Sequence, residues 1–480
     1  MTPSDRSAGR EDPPPDEDAE PDCDVASDGD DSLHVVHLYD GHEQVYEGRG
    51  SVPGVVWHLA REAAAAGHDV TVLERQWDGL DAQATHEGVD FERLALLTGA
   101  DVPWERVPYE QVTSPTGFVQ LVMDRSNFAL EALRWLRGQS VDVLHVHLPF
   151  AAGVLLTIAP WLRGSTVYTA HLGELRLDAL TEDKQGSEST GDAAGATDGL
   201  DTPAVLTAAS PDIYLAGRVA HTTVLNANIA DAFADRGVDH DSLSVLPNGV
   251  NVNRFTNVPE RERERVRESY DLGDGPTLLF VGTVMPRKGV TDLVRAVGRL
   301  ADGETDGLRE GDATPAEADG GATWDAFDLV VAGEDDLDGD YVEKVRETAR
   351  EAGVVESVTF PGFVPEADLA PLYAAADVCV VPSLEEGFGM TAVEALACGT
   401  PVVGTRVGAI PEIVDEDVHG YVVDPGDPGG LADAIDRAVD ELVGREEVET
   451  GARERARAYS WESVGEQCVA VYEAVAGRRR

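Results

Sequence analysis

From Leu33 onward, short and almost wholly apolar runs alternate with longer stretches in which apolar residues return every three or four positions. The short runs include LHVVHLYD (33–40), HDVTVLE (68–74), VDVLHVH (141–147) and PTLLFV (276–281). FDLVVAGE (327–334), SVTFPGFVP (357–365), DVCVV (377–381) and HGYVVDPGD (419–427) continue the series. Their length predicts buried strands. Between them, helices are predicted up to about Ala66, over about Pro115–Arg137, over 261–270, over Met390–Ala397 and over about 452–477. Gly67 ends the first, and Gly399 with Pro401 ends the fourth. Strand and helix in alternation place the chain in the α/β class.

Polar composition marks what lies outside this pattern. Residues 1–31 carry 12 acidic and 2 basic residues and almost no large apolar ones, which predicts a disordered acidic N-terminus. Gly/Ser/Thr/Asp-rich stretches at about 178–202 and 301–325 read as solvated insertions. The net charge of −53 is spread over the whole chain. Such a surface stays hydrated in concentrated salt, where screening cancels self-repulsion, so a halophilic setting is expected. It also excludes a nucleic-acid footprint, which must be basic. No apolar run approaches a membrane span and no leader is seen, so a cytoplasmic location is expected. The four cysteines (Cys23, Cys379, Cys398, Cys468) fit no metal or redox spacing, and Cys379 and Cys398 read as small core residues.

Candidate chemistry centres on Asp377–Val403. Glu386 and Glu394 flank a predicted helix start that carries Gly387 and Gly389. A helix N-terminus offers unpaired N–H groups and a positive dipole end, and glycine lets a phosphate approach the backbone. A second glycine-bearing loop, YEGRGSVPG (46–54), follows the first strand. Asp142, His145 and His147 lie on a later strand, where the two histidines share a face. Two histidines on one face could hold a metal, but no third ligand is evident, and histidines lining a cleft fit better. Lys288 is one of only three lysines among 37 cationic residues, with Lys184 and Lys344, so it is not a by-product of composition.

EEGFGMTAVEALACGTPVV (385–403) resembles the Glu-x7-Glu segment of glycosyltransferase family 4. The resemblance extends in order through Gly48–Ser51, the Asp-x-x-His-x-His segment, His171, Asn248-Gly249, the Lys288-Gly289 pair and VGAIPEIV. It implies a GT-B fold, two doubly wound Rossmann-like domains facing across a cleft. The first is expected at 32–255, on the acceptor side, and the second at 256–450, binding a nucleotide sugar. Residues 451–480 are expected to return to the first domain, with Trp461 anchoring them.

The implied function is a retaining, metal-independent, hexosyltransferase-like transfer from a nucleoside diphosphate sugar to a hydroxyl. No cofactor is expected. The acceptor is left open among lipid, protein and small molecule, with peripheral membrane contact allowed. His171, Lys288 and Glu386 are implied in catalysis. Donor contacts are implied for Gly48, Arg49, Gly50, Ser51, Thr283, Arg287, Lys288, Phe363 and Val364. The same holds for Glu386, Gly387, Phe388, Gly389, Met390, Thr391 and Glu394. Thr283 departs from the family, which has arginine there, and Arg287 is the nearest replacement. A GT-B epimerase, a phosphorylase-like enzyme and a non-catalytic nucleotide-sugar binder are the alternatives. Paired carboxylates also serve glycosidases, but Glu386 and Glu394 share one loop-helix unit rather than facing each other across a site.

Overall fold

The computed structural model describes residues 32–48, 51–97, 115–171, 211–303, 324, 326–334 and 338–478. Expectations for 1–31, for 178–202, for Arg49 and Gly50, and for most of 301–325 fall outside these residues.

Two parallel sheets organise the described chain. The first contains β1 (His34–Leu38), β2 (Asp69–Arg75), β3 (Gln83–His86), β4 (Val89–Leu94), β5 (Val143–Val146), β6 (Thr166–Ala170), β7 (His221–Val224) and β8 (Leu243–Val245). Their spatial order is β3-β4-β2-β1-β5-β6-β7-β8, with only β3 antiparallel. The second contains β9 (Thr277–Val281), β10 (Asp328–Ala332), β11 (Val358–Gly362), β12 (Val378–Val381), β13 (Val402–Thr405) and β14 (Gly420–Val423). Its order is β11-β10-β9-β12-β13-β14. Each sheet is doubly wound: connections run outward one way, then restart beside the first strand and run the other way.

Strand periodicity divides the first core into two layers. Val36, Leu38, Leu144, Val146 and Tyr168 face the helices Pro115–Leu136 and Pro149–Ile158. Val35, Val143 and Val167 face the opposite way, toward Ser51–Ala65 and the last helix, Trp461–Gly477. Helix Ser51–Ala65 buries Val55, Val56, Leu59, Ala60 and Ala63, one stripe at helical spacing, and Gly67 ends it at φ 93°.

Two features depart from the sequence reading. The β3–β4 hairpin was not foreseen, and its turn, Glu87-Gly88, has φ of 48° and 85°. Positive φ at both central positions is the mark of a two-residue hairpin turn, and glycine at the second is its sequence cue. The second departure concerns residues 451–480. Helix Glu446–Arg457 packs on Met390–Cys398 in the second domain, and only Trp461–Gly477 crosses back to pack on Ser51–Ala65.

The incoming and outgoing crossings lie side by side. Val250 N donates to Tyr459 O at 2.8 Å, and Val250 and Ser460 form a parallel bridge. Trp461 is buried and stacks on His58, with ring centroids 4.4 Å apart. Asn248-Gly249 is a turn dipeptide by composition, yet no turn forms there. Gly249 is needed because a Cβ there would fall 2.3 Å from the Trp461 ring. Gly249→Ala is therefore expected to cost about 1–3 kcal/mol through overpacking, read as a lowered thermal midpoint. An unchanged midpoint would refute this account of the crossing.

Candidate active site

In a doubly wound sheet, ligands bind beyond the carboxyl ends of the strands where the winding reverses. In the second sheet that point lies between β9 and β12, and the two loops leaving it meet. Leu384 N donates to Arg287 O at 2.8 Å. Gly289 has φ 66°, and a Cβ there would lie 1.9 Å from Pro382 O, so only glycine permits this approach. The Lys288 Nζ then stands 2.5 Å from Glu386 Oε2, with both side chains mostly buried. Ser383, fully buried, donates to the same carboxylate oxygen at 3.2 Å.

Immediately beyond, Gly389 begins the helix Met390–Cys398 at φ 98° with no capping side chain. A Cβ at Gly389 would meet Ile410 Cδ1 at 2.5 Å. The first-turn N–H groups at Met390 and Thr391 are thus left uncapped beside Glu386, a place for anionic oxygen. Thr283 and Arg287 are half-buried in the β9 loop. Among the described residues, the Arg287 guanidinium makes no ion pair.

The other implied donor residues are placed less uniformly. Glu394 accepts from the Tyr373 hydroxyl at 2.9 Å, and burial raises its carboxyl to about 7. Phe388 turns its ring into the core against Tyr459, which leaves only its backbone toward the loop. Val364 is buried likewise, whereas Phe363, at the end of β11, is 72% exposed. In the first domain, Ser51 opens the helix after β1 and Gly48 lies just before it, at that sheet's own point of reversal.

The histidines correct the sequence reading most. His145 and His147 do not line an open cleft; both are buried beneath the last helix. A third nitrogen donor, absent from the sequence reading, is His37 on β1. It pairs in register with His145, and ligand atoms of His37, His145 and His147 lie within 4.8 Å of one another. Tyr472, from the last helix, contacts His145 Nδ1 at 2.6 Å, and His147 Nδ1 lies 3.2 Å from His171 Nε2. Burial lowers the pKa of His171 to about 4 and that of His37 to about 3, and holds His145 and His147 well below the usual range. Only the alternation of LHVVHLYD, set against VDVLHVH, hinted that His37 would share their face.

The two domains touch beside the donor loop. Asn226, just after β7, caps the helix Ala227–Ala234 through Oδ1 and donates from Nδ2 to Gly387 O at 2.9 Å. Ala227 N donates to Glu412 Oε1 at 2.9 Å. Because β6 neighbours β7, His171 emerges on the side where the first domain reaches Gly387.

Two doubly wound parallel sheets in one chain, with a phosphate-suited helix start at the winding reversal of the second, define the GT-B class of fold. Solved structures agree. Sucrose-phosphate synthase from Thermosynechococcus elongatus superposes with a TM-score of 0.65 at 22% identity, covering 93% of this chain and 100% of that one. Anabaena HepE, solved with UDP and glucose, gives 0.61 at 16% identity over 92% of this chain and 100% of its own. The Glycosyltransferase Family 4 model matches residues 52–254, and the Glycosyl transferases group 1 model matches 262–455.

The chain belongs to this family of glycosyltransferases. A D-inositol 3-phosphate glycosyltransferase of Geodermatophilus obscurus is 37% identical over 265 residues, 54% of each chain. One from Corynebacterium efficiens is 28% identical over 414 residues, 86% of this chain and 87% of that protein. The chain spans about half the length of most of the curated relatives it matches.

Glu394 gives the site a measurable pH signature. Its folded pKa of about 7 exceeds the reference value of 4.5, so the folded state binds the extra proton between them. Stability is then lost as pH rises through that window. Glu394→Gln mimics the protonated form. It should leave the thermal midpoint unchanged near pH 5 and raise it by a few degrees at pH 8. Equal effects at both pH values would contradict the assignment.

Proposed function

We propose that this protein moves a sugar from a nucleoside diphosphate sugar to an acceptor hydroxyl with retention at the anomeric carbon. The observation carrying this reading is the Lys288–Glu386 pair beside the uncapped helix start at Gly389. Charge grows on the diphosphate as the glycosidic bond breaks. Donors already in place there stabilise the transition state more than the ground state. Lys288, Arg287 and the N–H groups at Met390 and Thr391 are those donors.

In this reading Arg287 stands in for the arginine that Thr283 replaces. Glu386 holds Lys288 in place and accepts hydrogen bonds from sugar hydroxyls, while Glu394 takes a ribose hydroxyl. These fixed cations perform the charge neutralisation for which other transferases use a metal. The bond from the anomeric carbon to diphosphate oxygen breaks, and the bond to the acceptor oxygen forms. The acceptor proton leaves with the diphosphate. His171 orients the acceptor or the sugar from the opposite wall, and Asn226 holds that wall against the donor loop. Retention follows from the family resemblance.

Lys288→Ala should lower kcat by about 10²–10³-fold, as loss of a preorganised charge donor does. Glu386→Ala should lower it by at least about tenfold, with far-ultraviolet circular dichroism unchanged in both. Turnover by radiolabelled sugar transfer over a panel of nucleotide sugars and acceptors measures this. Wild-type turnover in both variants would sink the site assignment.

A further inference from the structure

Six buried side chains of the first domain and the last helix, with half-buried His171 at the end, form one continuous row of hydrogen bonds. Thr223 Oγ1 lies 2.7 Å from Thr169 Oγ1, which lies 2.7 Å from His145 Nε2. His145 Nδ1 is 2.6 Å from the Tyr472 hydroxyl, and that hydroxyl is 3.4 Å from His37 Nε2. His37 Nδ1 is 3.0 Å from His147 Nε2, and His147 Nδ1 is 3.2 Å from His171 Nε2. Among the described residues, His171 Nδ1 makes no hydrogen bond.

Each link holds one hydrogen, and a neutral imidazole carries one N–H and one lone pair. An imidazole passes the direction of one link on to the next, and a hydroxyl does so unless it turns its hydrogen to a third acceptor. Tyr472 has such an acceptor in Cys468, but a thiol sulfur accepts only weakly, so that break in the row is disfavoured. Two arrangements run in one direction along the whole row. In one, every histidine is protonated on Nε2, and the row points toward Thr223. The Thr223 hydroxyl must then point its hydrogen elsewhere, and among the described residues its side chain makes no hydrogen bond besides the one to Thr169. In the other, Thr223 donates to Thr169, Thr169 to His145, His145 to Tyr472, Tyr472 to His37, His37 to His147 and His147 to His171. Every buried hydrogen in the row then has an acceptor, and all four histidines carry the proton on Nδ1. A buried donor without an acceptor is the costlier defect, so the second arrangement wins.

We propose that this row fixes His171 as a neutral Nδ1–H donor to a substrate oxygen in the cleft. The proposal rests on the transferase reading for the identity of that oxygen. His147, His37, Tyr472 and His145 are then positioning residues that act through His171. Burial supports the neutral state, since it lowers the pKa of all four rings. The same nitrogens cannot both complete the row and bind a metal ion, although those of His37, His145 and His147 are close enough to be considered.

The test has a spectroscopic arm that needs neither activity nor a variant. Nitrogen-15 spectra of histidine-labelled wild-type protein should show His37, His145, His147 and His171 as neutral Nδ1–H tautomers at neutral pH. Nε2–H tautomers, averaged signals or a stoichiometric metal on elemental analysis would overturn the proposal. The kinetic arm uses His147→Ala, which removes the donor to His171 Nε2. The expected loss is about tenfold in kcat with donor KM unchanged, the scale of one hydrogen bond. His147→Asn places an amide N–H where Nδ1 stands and should recover most of that loss. Equal activity in the two variants, whether impaired or wild-type, would count against the row. Absence of any transferase activity in the wild type would instead overturn the functional reading and leave the tautomer result to decide the row.

Discussion

The loops after β9 and β12 are pressed together by backbone contacts, and the rest of the site depends on that contact. Gly289 abuts Pro382 O, and Leu384 N bonds Arg287 O, so the two loops have one mutual register. That register brings a lysine from one loop and a glutamate from the other to 2.5 Å. A half-buried lysine and glutamate are worth little as a stabilising pair, because desolvation offsets most of their attraction. Their use lies in placement. The carboxylate keeps the ammonium beside the open helix start without an anionic ligand, so little reorganisation remains when the ligand arrives.

How far the sequence discloses this follows from how local each feature is. The helix start at Gly389 and its end at Gly399 were legible because both need glycine at positive φ, at 98° and 88°. Strands β1, β2, β5, β9, β10, β11, β12 and β14 were legible as apolar runs. Lys288 stood out against a background of arginine. What the sequence hid depends on chain segments far apart. His37, His145 and Tyr472 come from β1, β5 and the last helix, and only the parallel register of β1 with β5 brings the two histidines level. Asn226 reads as an ordinary helix cap, and its second bond to Gly387 exists only because the other domain is there. Phe388 sat within the most recognisable motif, yet a motif does not say which of its side chains faces inward.

The last helix couples the two halves of the molecule in a way that domain boundaries conceal. It leaves the second domain beside the incoming crossing at Val250, stacks Trp461 on His58, and lays Tyr472 over the histidines of β1 and β5. Three buried imidazoles, His37, His145 and His147, would be expensive under a purely apolar helix, since each ring nitrogen needs a partner. A tyrosine at that position supplies a group that both donates and accepts, so the burial is tolerated. The helix therefore serves as a structural strap and also completes the polar row behind His171.

The acidity of the chain bears on the site through range. A net charge of −53 repels any anionic ligand at long distance, whereas in the proposed site Lys288, Arg287 and the helix start would attract one at contact. Salt does not act equally on the two. The screening length is about 10 Å at 0.1 M and about 3 Å at 1 M, so concentrated salt removes the distant repulsion first. The contact interactions are partly buried and lie within one screening length even then. A surface of this charge is thus compatible with the proposed diphosphate site where the cations are fixed and half-enclosed. The two loops build that arrangement at Lys288 and Glu386.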